Sequence, residues 1–250
     1  MAGSGCLYLV ATPIGNLEDI TLRALSVLSG VDRIAAEDTR VARKLLDRHG
    51  IDKPLVSCHA HTAGPRLAAL ADAMAAGERL AFVSDAGTPG ISDPGHELVK
   101  LALERGVAVV PIPGASALTT LLSVADVPAE RFVFEGFLPR EGKARRRLLR
   151  TMMEEARPTV FFEGPHRLDD TLADLLALWG DRRVVLGREL TKLHEEVFRG
   201  SLSEAIQRFA AEPPRGEVTL LVAGATGGPE GSSPPEAAAH RPGRRERNRR

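Results

Sequence analysis

Short apolar runs alternate with longer stretches of helical period along most of the chain. Residues 7–11 read as a strand and 20–28 as a helix. Strands over 33–36 and 55–57 and helices over 39–48 and 66–76 follow, then strand 80–83, helix 94–105, strand 107–112 and helix 116–124. The rhythm breaks at Asp126-Val127-Pro128. Beyond it the pattern predicts strand 132–135, a basic helix over 143–155, strand 159–163, helix 168–179, strands 183–186 and 195–199, helix 203–211 and strand 217–222. Such alternation is the signature of largely parallel sheets covered by helices. The fold class expected is therefore α/β, with one α/β domain over 1–124, a linker at 125–131 and a second α/β domain over 132–224. From Ala225 onward Gly, Ser, Pro and Arg dominate and no apolar period survives, so 225–250 is expected to be a disordered basic tail.

The segment Ser84-Asp85-Ala86-Gly87-Thr88-Pro89-Gly90-Ile91-Ser92-Asp93-Pro94-Gly95 separates the strand at 80–83 from the next helix. Its glycines, prolines and aspartates build no core. They bare main-chain amides and place short oxygens where a strand hands over to a helix, the usual ligand edge of an open α/β sheet. Asp93 as N-cap and Pro94 at the first helical position explain the end of the segment, but not Ser84 to Gly90. Two further loops leave predicted strands on the same side, Ala11-Thr12-Pro13-Ile14-Gly15-Asn16-Leu17-Glu18-Asp19 and Pro113-Gly114-Ala115-Ser116-Ala117, the latter with Ser116 placed to cap a helix. Neither Gly-x-Gly-x-x-Gly nor the Walker spacing occurs in them, and basic residues are scarce. A neutral or cationic ligand with hydroxyls and an adenine fits better than a phosphate-rich one.

Composition narrows the setting. No apolar run approaches the roughly 20 residues of a membrane span, and the N-terminus carries no basic region ahead of an apolar core. Cys6 and Cys58 provide no disulfide framework, which points to a reducing cytoplasm. A formal net charge of +0 conceals an uneven distribution: positions 241–250 hold six arginines and one glutamate, and 140–150 hold five arginines and one lysine against Glu141. Two basic clusters on a neutral chain suggest a polyanionic partner; a solvated helix face and a solubilising tail are the alternative. Ser57-Cys58-His59-Ala60-His61 invites a metal reading, but no fourth ligand stands at zinc-like spacing, so no metal is expected.

The loop motifs together with Ala36-Glu37-Asp38-Thr39-Arg40 resemble the tetrapyrrole methylase superfamily. Within it, they are similar to the members that methylate the ribose 2′-oxygen of a cytidine in small-subunit ribosomal RNA. Phe134-Glu135-Gly136-Phe137-Leu138-Pro139-Arg140, Phe161-Phe162-Glu163-Gly164-Pro165-His166-Arg167-Leu168 and Arg188-Glu189-Leu190-Thr191-Lys192-Leu193-His194-Glu195-Glu196 extend the resemblance, which spans roughly 7 to 224 in order. Cys58, where an aromatic residue is more usual, and Gly164, where serine or alanine is common, depart from the pattern. The resemblance implies two α/β domains, S-adenosylmethionine in the cleft between them, a homodimer, and small-subunit ribosomal RNA or the assembled 30S subunit as substrate. It also implies cofactor contacts at Ile14, Asp85, Thr88, Ser116, Ala117 and, from the second domain, Phe162.

A ribose hydroxyl is a poor nucleophile, so a base must take its proton as the methyl bond forms. Glu163, His166, Lys192 and Glu195 are candidates in the second domain, and Glu37 and Asp38 in the first; Glu163 and Lys192 are the most informative to substitute. Lys192 would serve only with a lowered pKa. Arg140, Lys143, Arg145, Arg146, Arg147, Arg167 and Arg188 are candidates for phosphate contacts, with Arg150 continuing the run. Aromatic residues are few, so base stacking is not an evident driver and RNA is expected to be read by shape. A tetrapyrrole-precursor carbon methyltransferase and a non-catalytic RNA- or ribosome-binding module are the rival expectations.

Overall fold

The structure is a computed structural model describing residues 5–59, 62, 64–93, 95–211 and 216–225. Ala60, His61, Pro94 and positions 226–250 lie outside the described residues, and with them the expectations for a disordered tail, a proline at a helix start and a second histidine beside Cys58.

Five parallel strands form the first sheet: β1 (Cys6–Val10), β2 (Arg33–Ala36), β3 (Leu55–Ser57), β4 (Arg79–Val83) and β5 (Ala108–Ile112), in the order β3-β2-β4-β1-β5. Its helices are α1 (Leu22–Gly30), α2 (Thr39–Arg48), α3 (Gly64–Ala75), α4 (Gly95–Glu104) and α5 (Ala117–Ser123). Alternate strand residues serve opposite layers. Leu7, Ala35, Leu80 and Phe82 pack with Leu67, Leu70, Met74 and Leu98 of α3 and α4. Val10, Ile34, Ala81 and Val83 pack with Ala24, Leu28, Ala42 and Leu46 of α1 and α2. Burial on both faces is why these strands read as unbroken apolar runs.

The second sheet contains β6 (Val133–Phe137), β7 (Thr159–Glu163), β8 (Arg183–Arg188), β9 (Glu196–Ser201) and β10 (Val218–Val222), ordered β6-β7-β10-β8-β9, with α6 (Gly142–Thr151), α7 (Leu168–Trp179) and α8 (Leu202–Ala211). Here the expectation of a largely parallel sheet fails. Only β6 and β7 run parallel, while β10 pairs antiparallel with both β7 and β8, and β8 with β9. The residues between β8 and β9 are too few for a crossover helix, so the two strands close as a hairpin. The basic helix also stops at Thr151 rather than at 155.

One face of this sheet is covered by α6, α7 and α8 through Leu149, Leu172, Trp179 and Phe209. The other receives a helix from the first half. Leu118 and Leu121 of α5 pack with Val160, Phe162, Val185 and Leu221. Gly187 permits this approach, since a Cβ there would lie 2.9 Å from Leu121 Cδ1. Among the described residues, no helix is long and apolar enough to cross a membrane.

Candidate active site

β4, β1 and β5 are neighbours, so parallel pairing brings the three glycine- and proline-containing loops together at the C-terminal edge of the first sheet. They are bound to one another through the backbone. Thr12 N donates to Gly87 O at 3.1 Å, Thr12 Oγ1 to Ser84 O at 2.8 Å, and Thr88 Oγ1 to Ala115 O at 3.0 Å. Gly87 has φ +87°, and a Cβ on it would stand 2.6 Å from both Ala115 O and Ile14 Cγ2. Only glycine satisfies both that backbone angle and that proximity. Asp93 closes the second loop by accepting from Gly90 N at 2.8 Å and Gly95 N at 2.7 Å. Ser116 is the N-cap residue of α5, but its side chain makes no capping hydrogen bond.

Facing these loops across a cleft of about 200 Å³ is the edge of the second sheet. The first half contributes Ile14, Asp85, Ala86 and Ala117; the second contributes Phe137, Phe162, Glu163, Gly164, Glu217, Val218 and Thr219. Among the described residues, no lysine or arginine lines it. Thr88 and Ser116 are absent from this wall as well, and Thr88 acts in holding the loops together. A smaller recess continues from Ile14 and Ala117 toward Glu189 and Lys192. The loop after β1 touches the β8–β9 turn directly: Asn16 N donates to Thr191 Oγ1 at 3.2 Å.

Charge at the cleft is predominantly negative. Asp85 has its pKa raised to about 6, first by partial burial and then by the carboxylates of Glu37, Asp38 and Glu217, with Arg40 opposing them. Asp38 itself is held well below the usual carboxylate range by hydrogen bonds from the Arg40 side chain and amide, and Glu37 Oε2 accepts from Ser84 Oγ at 3.0 Å. Glu163 has a fully buried side chain that accepts from Gly164 N at 2.8 Å, Thr171 Oγ1 at 2.7 Å and Arg167 Nη2 at 3.0 Å. Lys192 Nζ reaches Glu189 Oε1 at 2.8 Å and Glu217 Oε2 at 3.2 Å. Burial disfavours the Lys192 charge, but the hydrogen bond to Glu189 and the Glu217 carboxylate outweigh burial and raise its pKa. The condition for Lys192 as a base, a lowered pKa, is therefore not met.

The family profile described as Tetrapyrrole (Corrin/Porphyrin) Methylases matches residues 6–206. The chain belongs to the tetrapyrrole methylase family. Among its relatives, the Ribosomal RNA small subunit methyltransferase I of Thermotoga maritima is 50% identical over 220 residues, covering 88% of this chain and 99% of its own. The protein of that name from Pseudomonas aeruginosa is 46% identical over 224 residues, covering 88% of this chain and 79% of its own. Among solved structures, a cobalt precorrin-4 methyltransferase superposes with TM-score 0.65 at 16% identity, covering 88% of this chain and 95% of its own. A diphthine synthase gives TM-score 0.66 at 17% identity, covering 87% and 90%. At such identities these two establish the tetrapyrrole methylase fold alone.

Several residues expected to touch RNA are committed elsewhere in this tetrapyrrole methylase. Arg145 is buried and donates to Asp174 Oδ2 at 2.7 Å, pinning α6 to α7. Arg167 donates to Leu138 O at 2.7 Å as well as to Glu163. Arg188 pairs with Glu196 across the β8–β9 ladder at 3.0 Å, and Arg146 reaches Asp174 at 3.4 Å while remaining exposed. Arg140, Lys143, Arg147 and Arg150 are exposed. His166 is exposed on a short 3-10 turn over Pro165–Arg167. Glu195 accepts from Thr191 N at 2.6 Å and thereby shapes the β8–β9 turn. Gly164 lies beside open space, so its departure from serine or alanine leaves room unfilled and makes no clash. Cys58 is buried, which pushes its thiol up to about 11. Phe137 and Glu217 escaped the sequence reading: Phe137 ends β6 and Glu217 immediately precedes β10, beside apolar runs that pointed to the core.

Proposed function

We propose that the chain transfers a methyl group from S-adenosylmethionine to the ribose 2′-oxygen of a cytidine in small-subunit ribosomal RNA. The observation that supports this most directly is the cleft lining. Its apolar walls, Ile14, Ala86, Ala117 and Phe162, carry carboxylates at Asp85 and Glu217 and, among the described residues, no basic side chain. That donor set suits an adenine and a cationic centre and repels phosphate. The close packing at Gly87 holds the loop that carries Asp85 and Ala86 against the one that carries Ile14, which sets all three on one wall of the cleft. S-adenosylmethionine, when bound, supplies a methyl group carried on positively charged sulfur.

The chain's own residues then have definable work. Ile14, Ala117 and Phe162 exclude water from the adenosyl side, and ionised Asp85 offers a carboxylate to hydroxyl groups or to positive charge. The 2′-hydroxyl proton goes to a carboxylate of the lining or to His166, two residues beyond Gly164. Lys192 instead stays protonated and bridges Glu189 and Glu217, leaving the trio net negative. Glu163 is a positioning residue, since its oxygens are occupied by Arg167, Thr171 and the Gly164 amide. Lys143, Arg147 and Arg150 recur at spacings of four and three on α6, and therefore share its solvent face with Arg140 at its approach. We assign the RNA backbone to that face. The cytoplasm is the compartment in which this substrate is met, and the homodimer implied by the resemblance is tested by the mass in solution.

The decisive experiment mixes purified protein, labelled methyl donor, small subunits from a strain lacking this activity and a porphyrin precursor as competing acceptor. Label on a ribose oxygen is expected. Label on a porphyrin precursor, or nowhere while RNA is still bound, would replace the proposal by one of its rivals.

A further inference from the structure

We infer that Phe137 is a stacking platform for an unpaired base of the RNA substrate, set between the cleft and the basic face of α6. The inference rests on the RNA-methylation reading above and names a substrate contact within that site.

Phe137 is 58% exposed, although it is a large aromatic residue at the end of a sheet strand. Its presentation is built rather than accidental. The β6–β7 register shifts between Phe134 and Gly136, and Gly136 takes φ +68°. Without the extra residue, Phe134 and Phe137 would face opposite sides of the sheet; with it, both lie on the side of Phe162. Their ring centroids stand 5.0 Å and 5.5 Å from that of Phe162. Phe134 is the inner partner. Phe137 is the outer one, with Phe162 supporting it and part of its surface left open at the cleft wall.

The segment that follows is held from below. Arg167 donates to Leu138 O at 2.7 Å, and Arg167 is itself held by Glu163, whose other contacts are Thr171 and the Gly164 amide. The buried carboxylate therefore fixes the chain one residue past Phe137. Three residues beyond Phe137 comes Arg140, followed by the exposed Lys143, Arg147 and Arg150. A fixed, exposed ring continuous with a row of cations is the combination by which proteins bind single-stranded nucleic acid: cations follow the phosphates and the ring takes a base face. The acidic cleft beside it disfavours phosphate, and the exposed cations of α6 offer the adjacent path. A peptide or lipid partner would not call for both features at the mouth of a site with that negative lining.

Phe137→Ala, Phe137→Leu and Phe137→Trp test this; the exposed position lets all three fold, which thermal melting verifies. Methylation kinetics on unmodified small subunits are read together with calorimetry of the methyl donor. A direct probe is a short oligocytidylate carrying one fluorescent pyrrolocytidine, quenched on stacking. The Ala and Leu variants are expected to raise KM for the subunit by roughly tenfold to a hundredfold, while Trp stays near wild type, and to lose the quench with donor affinity falling far less than KM rises. A Leu variant equal to wild type would overturn the inference, because it keeps apolar area without a ring face. Loss of donor affinity by the same factor as KM would also overturn it, reassigning Phe137 to the donor wall. Wild-type protein that quenches the probe through Phe137 yet methylates no ribosomal RNA would remove the methylation reading and leave the stacking site standing.

Discussion

Arg145 and Asp174 form an ion pair at 2.7 Å whose side chains are only 5% and 13% exposed, so the basic stretch at 140–150 contributes one arginine to the interior. Removing the cation would strand the Asp174 carboxylate with the more distant Arg146 alone. Arg145→Ala is expected to cost about 3 kcal/mol of stability, with RNA affinity per folded molecule unchanged. Chemical denaturation and filter binding, read together, check both halves.

The outward row behaves in the opposite way. Reversing Lys143, Arg147 and Arg150 to glutamate should leave the melting temperature within a few degrees, because no ion pair among the described residues is lost. RNA binding should weaken across all sequences, and the slope of log affinity against log salt should flatten by about 2, at ~0.7 per phosphate contact on single strands. Binding titrations at several salt concentrations measure this.

Asp85 gives the site a pH response. Its raised pKa means that the folded chain keeps a proton that the unfolded chain has already lost, over the interval between 3.8 and about 6. Its contribution to stability therefore falls as pH rises through that interval. Affinity for a cationic donor should run the other way, rising as pH passes about 6 and the carboxylate ionises. Calorimetric titration from pH 5 to 8 (chosen to span about one unit or more on each side) should show this rise in wild type and a flat response in Asp85→Asn.

Lys192→Met should preserve the shape of the pH–rate profile on the alkaline side, because the wild-type lysine remains charged there. The loss should appear instead as weakened attachment of the β8–β9 turn to Glu217 at the approach to β10, about 1 kcal/mol for a partly exposed pair. Stopped assays at graded pH, with melting curves alongside, distinguish a base from a clasp.

Gly87→Ala should be among the most damaging small substitutions in the protein. The added methyl meets Ala115 O and Ile14 at 2.6 Å on a backbone of positive φ. A loss of at least ~1 kcal/mol is expected from backbone strain alone, accompanied by a fall in donor affinity as the loops separate. Denaturant titration and calorimetry would record the two effects.

Much of this fold was legible because the central strands β2, β4 and β1 of the first sheet pack into apolar layers on both faces and the helices between the strands carry apolar stripes. Strands 33–36, 55–57 and 159–163 and helices 39–48 and 168–179 agree with the observed elements residue for residue. Strand direction in the second sheet was not legible, since apolar period does not encode the partner. The cleft's first-half residues Ile14, Asp85 and Ala117 were found through loop chemistry and family resemblance. Arg145 and Arg167 misled because local charge says nothing about a carboxylate 29 residues away, as Asp174 is from Arg145, or about a backbone carbonyl such as Leu138 O. Phe137 was missed because a β-bulge changes which side of a strand a residue takes.

Helix α5 follows the last strand of one sheet yet lays Leu118 and Leu121 against the other. A protease cut or gene split just after it would separate a plug from its socket: one fragment would carry a greasy unpaired helix, the other a bare sheet. Neither piece should survive alone in solution, whereas the two co-expressed should find each other.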